Sequence, residues 1–212
     1  MSGLIEKDLR LILQKKSNFI IFIAVGSILA CTTDNHFVTA YMMMIFAILG
    51  IGTISYDEFD NGYPFLLTLP FTRVTYVLEK YVFCIFSGIF GFVISNLIII
   101  AIQLITKNVF PIEAILESFL YLPVILIMVS FILPVQLKFG AEKARIGLLL
   151  VSGGFISLLY LVNRFLPDTA ALFQTIAEMK SSTVTGILYL ISFVFVGISY
   201  LISTSIMKHK EF

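Results

Sequence analysis

The stretch VFCIFSGIFGFVISNLIIIAIQLI, from Val82 to Ile105, decides the fold of this chain. It contains no Asp, Glu, Lys, Arg or His, and it exceeds the roughly 20 apolar residues that a helix needs to cross the hydrocarbon core of a bilayer. Apolar and polar residues do not alternate at period two, which disfavours a strand of a membrane barrel. The stretch therefore predicts a transmembrane helix.

The remainder of the chain has the same apolar character. Its 212 residues are 59% hydrophobic, and the mean hydropathy is +1.02. Soluble domains contain about 45–50% apolar residues, and a soluble core cannot cover such an excess without large exposed patches. The net charge of +1 provides no basic stripe for nucleic acid. Lipid is the expected solvent, and nucleic acid is excluded as a partner.

We predict an all-α integral membrane protein with six transmembrane helices, forming a single transmembrane domain over residues 1–212. The spans cover about Asn18–Thr32, Phe37–Ser55, Val82–Ile105, Phe119–Leu137, Ile146–Leu166 and Val184–Met207. The first is short and borrows length from its flanks. The segment 163–183 is expected to be an extracellular loop or a re-entrant element.

Lys and Arg residues set the expected orientation. One set of segments carries Lys7, Arg10, Lys15, Lys16, Arg73, Lys80, Lys138, Lys143, Arg145, Lys208 and Lys210, and the other carries Lys107, Arg164 and Lys180. Because cytoplasmic loops hold the excess of basic residues, the larger set belongs inside. Both termini are then expected to be cytoplasmic.

Residues 1–16 precede the first span and predict an interfacial helix. Ile5, Leu9, Ile12 and Leu13 fall on one helical face, and the charged residues fall elsewhere. This amphipathic pattern is typical of a helix at the bilayer surface. A simple anchor and a more specific role are both open.

The sequence lacks the usual marks of membrane enzymes and ion-coupled carriers. No ionisable residue lies in the central part of any predicted span, where each would cost roughly 2.5–3.5 kcal/mol and usually has a function. HExxH, GxSxG and GxxxxGK[ST] motifs are missing, and two cysteines with two histidines are too few for a plausible zinc site. We expect no catalytic residue, metal or cofactor on this chain, so any uphill transport needs energy from another polypeptide.

Mildly polar residues in the third predicted span are candidates for a translocation path. Ser95, Asn96 and Gln103 are the residues concerned. Ordinary helix packing through small and polar side chains is the simpler interpretation. A membrane-embedded enzyme would require these residues to meet Glu113 or Glu117 in one pocket.

A charged connector, YDEFDNGYPFLLTLPFTRVTYVLEKY, occupies residues 56–81. Three acids follow the second span, and then an apolar segment between Pro64 and Pro70 leaves room for one or two helical turns. Thr72 is a plausible N-cap for the next helix. A short apolar helix at the membrane surface needs lipid or a partner protein to cover it.

This connector resembles that of the permease subunits of ABC type-2 exporters. Their pattern is an acid, then SLP-x-S/T-R, a hydrophobic position and K-Y. It appears here as Glu58, TLPFTR at Thr68–Arg73, Val77 and EKY at Glu79–Tyr81, with Thr68 in place of the commoner Ser. The six-span layout extends the likeness to the whole chain, which resembles short bacterial permeases encoded apart from their ATPase, including those that export phenol-soluble modulin or antimicrobial peptides.

The resemblance implies a coupling helix in the connector that contacts a separate cytoplasmic ABC ATPase, which binds ATP and Mg. The implied contacts are Glu58, Asp60, Asn61, Tyr63, Phe65, Leu66, Thr68, Leu69 and Arg73. It also implies a second permease copy or paralogue, a bacterial plasma-membrane location and outward movement of amphipathic cargo, with peptide first. Alternatively, the acids cap helix ends and Arg73 reaches lipid headgroups, in a non-transporting anchor or sensory scaffold for a cytoplasmic partner.

Overall fold

A computed structural model describes residues 2–14, 16–58, 62–68, 71–140, 143 and 181–210. All regular structure within these residues is helical. The helices are α1 (Ser2–Gln14), α2 (Lys16–Thr32), α3 (Asn35–Glu58), α4 (Gly62–Leu67), α5 (Arg73–Lys107), α6 (Ile112–Ser118), α7 (121–140) and α8 (Ser181–His209). The all-α prediction is confirmed over this part of the chain.

Four described helical segments are long and apolar enough to cross a membrane. They are Asn35–Glu58, Arg73–Thr106, Ile112–Gly140 and Thr183–His209, which contain the second, third, fourth and sixth predicted spans. A fifth span arises if α1 and α2, which meet at a 70° bend, are counted together. The predicted span Ile146–Leu166 and nearly all of 163–183 lie outside the described residues. The count of six therefore stays a prediction.

The centre of the fold is the packing of α3 against α5. A side chain at Gly91 of α5 would meet the carbonyl oxygen of Met42 at 2.7 Å and the Cα of Met43 at 3.0 Å. A residue without a Cβ is therefore what lets the two backbones approach. Phe46 and Val77 are buried on either side of this interface. The small residues of the third predicted span serve packing here.

Both ends of α5 are defined locally. The Thr72 side chain accepts a hydrogen bond from the backbone N–H of Thr75 at 3.2 Å, which confirms the predicted N-cap. At the other end Asn108 adopts the left-handed conformation, with φ of 52°, as helix-terminating residues commonly do. Between them the helix runs for 35 residues.

The ends of α3, α7 and α8 and the start of α5 meet at one side of the bundle, which we call the Asp57 end. Gln136 of α7 donates to the carbonyl oxygen of Ile51 at 3.3 Å and to Ser55 at 3.1 Å. The opposite side, where α5 ends and α6 begins, is the Asn108 end. There the His36 imidazole lies 3.3 Å from the Glu117 carboxylate.

Helix α1 lies against the Asp57 end, and the face that it buries contains both apolar and charged side chains. Leu4 and Asp8, one turn apart, are buried in the protein, whereas Leu9 and Leu13 are exposed. The exposed apolar side chains are placed as an interfacial helix requires. The buried aspartate shows a second role for α1, because a simple surface anchor has no reason to bury a charge.

Candidate functional site

Five ionisable side chains from three helices meet at the Asp57 end, and we call them the charged cluster. Its members are Lys7 and Asp8 of α1, Asp57 of α3, and Glu79 and Lys80 of α5. Buried charges are costly unless they are paired and hydrogen-bonded. The pairing therefore decides how firmly the three helices are held together.

Lys80 is at the centre of the charged cluster and has no exposed surface. Its ammonium forms ion pairs with the carboxylates of Asp8 and Asp57, the latter at 2.8 Å. It also donates to the Thr53 hydroxyl at 3.2 Å. An ammonium has three donors, and these three acceptors satisfy it. One lysine on α5 thus joins α1 to α3.

The two aspartates have further partners. Asp57 accepts hydrogen bonds from the Lys7 ammonium and, at 2.9 Å, from the Tyr76 hydroxyl. Asp8 accepts one from the Thr53 hydroxyl at 2.9 Å. Charge-assisted hydrogen bonds of this kind are about twice as strong as neutral ones. The cluster is therefore a connected network that links α1, α3 and α5.

Glu79 differs from the other members of the cluster. It is fully buried, and neither carboxylate oxygen accepts a hydrogen bond from the described residues. Its nearest counter-charge is the Lys80 ammonium at 3.8 Å. With three acids against two lysines, the cluster as a whole carries an excess of acid.

Helix α4 packs beside this network through one face. Tyr63 and Leu66, three residues apart, are buried, while Phe65 is 71% exposed. The Tyr63 ring meets the Tyr76 ring edge-on, with centroids 5.9 Å apart. Burial raises the pKa of the Tyr63 hydroxyl to about 12. Because Tyr76 also donates to Asp57, α4 is one side chain away from the charged cluster.

The start of α5 also holds the end of α8. The Arg73 guanidinium donates to the carbonyl oxygens of Met207 at 3.1 Å and of Lys208 and Lys210 at 2.9 Å. A cation at a helix C-terminus satisfies orphan carbonyls and complements the helix dipole. The Lys210 ammonium in turn lies 4.9 Å from the centroid of the Tyr63 ring, and burial lowers the pKa of Lys210.

Glu58 closes the site on the side of α7. A Cβ at Gly140 would overlap the Glu58 carboxylate, and Gly140 has a φ of +79°. Glycine is the residue that adopts this backbone without strain while admitting a close neighbour. Residues of α3, α5, α7 and α8 therefore surround the connector of residues 56–81, which contains α4.

A family profile described as "ABC-2 family transporter protein" matches residues 3–208. The chain belongs to this family. No curated protein and no solved structure shows significant similarity to it. Membership confirms the resemblance drawn from the connector, and with the apolar helices it makes this ABC-2 protein a multi-pass membrane protein. The family also implies a cytoplasmic ATPase partner.

The structure divides the predicted coupling residues of this ABC-2 protein into three groups. Tyr63, Leu66, Glu58 and Arg73 lie against other helices of the chain. Phe65 and Thr68 are exposed. Asp60, Asn61 and Leu69 lie outside the described residues. The ATPase contact itself stays a prediction for all nine.

The connector helix begins earlier than predicted. It runs from Gly62 to Leu67 rather than between the two prolines, so Pro64 lies in its first turn. Proline is tolerated there because the first-turn N–H groups have no partner within the helix. Thr68 follows the helix, and its hydroxyl donates to the carbonyl oxygen of Phe65 at 2.7 Å.

The predicted path residues make contacts that favour packing. Ser95 is buried and donates to the carbonyl oxygen of Phe92 at 2.8 Å. Asn96 donates to the same oxygen at 2.9 Å and accepts from Ser118 at 3.1 Å. Gln103 is half-buried. Their role in a translocation path stays a prediction, and Glu117 pairs with His36 rather than with any of them.

Sequence reasoning assigned no member of the charged cluster to the site, and it also missed the neighbouring Thr53 and Tyr76. A signal was available, because residues 1–16, the segment just after the second predicted span and the segment just before the third all carry charges at the predicted cytoplasmic side. Opposite charges at the same membrane depth on adjacent helices favour pairing. The amphipathic pattern of α1 instead led to the expectation that its charged side chains face water.

Proposed function

We propose that this protein is the permease subunit of an ATP-binding cassette exporter, with α4 as the helix that couples it to a separate ATPase subunit. The ATPase binds ATP and Mg, and this chain performs no bond chemistry. The Asp57 end and both termini face the cytoplasm, as the distribution of Lys and Arg indicates. In bacteria such a complex lies in the plasma membrane.

The observation that carries this proposal is the exposure of Phe65. It is an aromatic side chain on a short helix whose other face is buried through Tyr63 and Leu66. Aromatic anchors seated in a partner's pocket dominate many protein interfaces. A rigidly held helix that presents one such anchor suits the transfer of motion between two bodies.

The charged cluster supplies the path for that motion inside the permease. Helix α4 rests on Tyr76, which is hydrogen-bonded to Asp57, and Asp57 is paired with Lys80. Lys80 reaches Asp8 on α1. Because these contacts are buried and form a connected chain, displacing α4 displaces α1, α3 and α5 together.

The proposal also specifies the transported cargo and the subunit assembly. Exposed side chains on α2, α5 and α8 are mostly Ile, Leu, Phe and Val, which favours amphipathic or hydrophobic cargo, peptide first, over ions. Two permease subunits, identical or related, form the path between them. Uptake of a fluorescent amphipathic peptide by inverted vesicles, dependent on ATP, tests this part.

The substitution Phe65→Asp tests the coupling role of α4, with Phe110→Asp as a matched control. Phe110 is also exposed, at 53%, but lies at the Asn108 end. The full chain is purified in mild detergent from its native membranes, and mass spectrometry identifies any co-purified subunit that contains GxxxxGK[ST]. We expect Phe65→Asp to reduce its recovery and vanadate-sensitive ATP hydrolysis about tenfold or more, the scale of a hot-spot residue.

Two results would count against the proposal. If neither substitution changes ATP hydrolysis while the ATPase remains bound, α4 is not the coupling helix. If the co-purified partner lacks a nucleotide-binding motif, the chain acts as an anchor or scaffold for another kind of cytoplasmic protein.

A further inference from the structure

An apolar cavity of about 310 Å³ lies between α1, α2, α3 and α5. Its walls include Leu9 and Leu13 of α1, Phe19 of α2, Phe46 of α3, and Phe86 and Phe90 of α5. Leu13, Phe86 and Phe90 are exposed on the outer surface of the bundle. The cavity therefore faces the membrane beneath the interfacial helix and is separate from the charged cluster.

The chemistry of the walls excludes water and polar ligands. Ser87 is the polar side chain among the lining residues, and its hydroxyl already donates to the carbonyl oxygen of Phe46. A buried water needs two to four polar partners, and cavities without them stay dry or take apolar ligands. In a bilayer, the apolar molecules at hand are acyl chains.

A cation lies one helical turn before a wall residue of the cavity along α2. Lys16, the first residue of α2, precedes the wall residue Phe19 by three positions, so both lie on the same helical face. Lys16 is exposed and forms no ion pair with any described residue. A cation one helical turn from an apolar cavity matches the spacing of an anionic headgroup and its acyl chain.

We propose that this cavity binds one acyl chain of an anionic phospholipid whose headgroup lies against Lys16. The bound acyl chain lies between α1 and the first turns of α2. Because α1 also carries Asp8 of the charged cluster, lipid occupancy sets the position of a helix that is tied to the centre of the bundle. The inference rests on the cavity and the membrane setting, and it holds whether or not α4 binds an ATPase.

Photolabelling of the full chain in nanodiscs tests the proposal. The probe is phosphatidylglycerol with a diazirine in one acyl chain, present in trace amount in phosphatidylcholine, and the same label on phosphatidylcholine is the comparison. Mass spectrometry maps the label on Phe86 and Phe90 and on the exposed face of α8 around Leu201. We expect stronger labelling of the α5 positions.

Two matched pairs of variants separate the acyl chain from the headgroup. Leu13→Trp fills the mouth of the cavity and should lower labelling of Phe86 and Phe90 about tenfold, the scale of excluding about two methylene groups. Leu201→Trp, on an exposed surface away from the cavity, should not. Lys16→Glu should lower labelling by phosphatidylglycerol about fivefold, to the level of phosphatidylcholine, whereas Lys143→Glu should leave it unchanged.

Each contrary result overturns a defined part of the proposal. Equal labelling of the α5 and α8 faces, or insensitivity to Leu13→Trp, means that annular lipid alone contacts the cavity. Equal labelling by the two lipids in the unmodified chain refutes the anionic headgroup. Cross-links from Phe86 to a second copy of the chain, with no lipid adduct, make this face a subunit interface instead.

Discussion

The paired side chains at the two ends of the bundle differ in how deeply they are buried. At the Asp57 end, the Lys80 ammonium and the Asp57 carboxylate are 2.8 Å apart, with side chains 0% and 4% exposed. At the Asn108 end, His36 and Glu117 are 3.3 Å apart but 54% and 60% exposed. Exposed pairs contribute little because water screens them, whereas breaking a buried pair leaves an uncompensated charge. The comparison indicates that buried ion pairs hold the helices together at the Asp57 end, whereas the exposed His36–Glu117 pair contributes little at the Asn108 end.

Replacing Lys80 should have the largest effect. Lys80→Met leaves Asp8 and Asp57 buried without their shared cation, and we expect a loss of about 3–5 kcal/mol in the free energy of unfolding, as for other broken buried pairs. Denaturant titration of the chain in detergent micelles measures it. Lys143→Met, at an exposed lysine, is the control and should change little. Equal losses of unfolding free energy for Lys80→Met and Lys143→Met would show that the buried ion pairs do not stabilise the Asp57 end.

Replacing Asp8 should have the next largest effect. Asp8→Asn removes the charge that pairs with Lys80, and we expect a loss of about 1.5–3 kcal/mol, the range for hydrogen bonds to charged groups. Glu6→Gln on the same helix removes an exposed carboxylate paired with Arg10. This control should change the free energy of unfolding by no more than about 0.5 kcal/mol. Proteolysis of α1 in intact nanodiscs should accelerate for Asp8→Asn alone. Similar behaviour of the two variants would mean that α1 is not held by the charged cluster.

Replacing His36 should have the smallest effect. His36→Gln removes the exposed pair with Glu117. We expect the free energy of unfolding to fall by less than about 1 kcal/mol. The same denaturant titration measures this loss. A loss as large as that of Lys80→Met would show that the Asn108 end is as tightly linked as the Asp57 end.

Local patterns in the sequence were enough for most of the helices. The apolar run Val82–Ile105 fixed the centre of α5, and the residue type and position of Thr72 fixed its start. The connector helix was expected from its prolines, although Pro64 proved to lie inside its first turn. Each of these features depends on neighbours within a few residues, which is why the sequence alone predicts them.

The charged cluster could not be predicted in the same way. The Asp8–Lys80 pair joins residues far apart in the chain, and hydrophobic periodicity assigns the charges of α1 to water. Which face of α1 turns inward depends on the space that α3 and α5 leave, and thus on tertiary packing. The exposure of Phe65 also needed the structure, since Tyr63, Phe65 and Leu66 look equally apolar in the sequence, and the structure buries two of them.

The central claim is that Phe65 contacts the ATPase, and site-specific photo-cross-linking tests it most directly. A benzophenone amino acid replaces Phe65 in the full chain, with the same replacement at Phe110 as the control, and native membranes are irradiated. The account predicts a cross-link from position 65, and none from position 110, to a subunit with a nucleotide-binding motif. Cross-links from position 65 to lipid alone would contradict it.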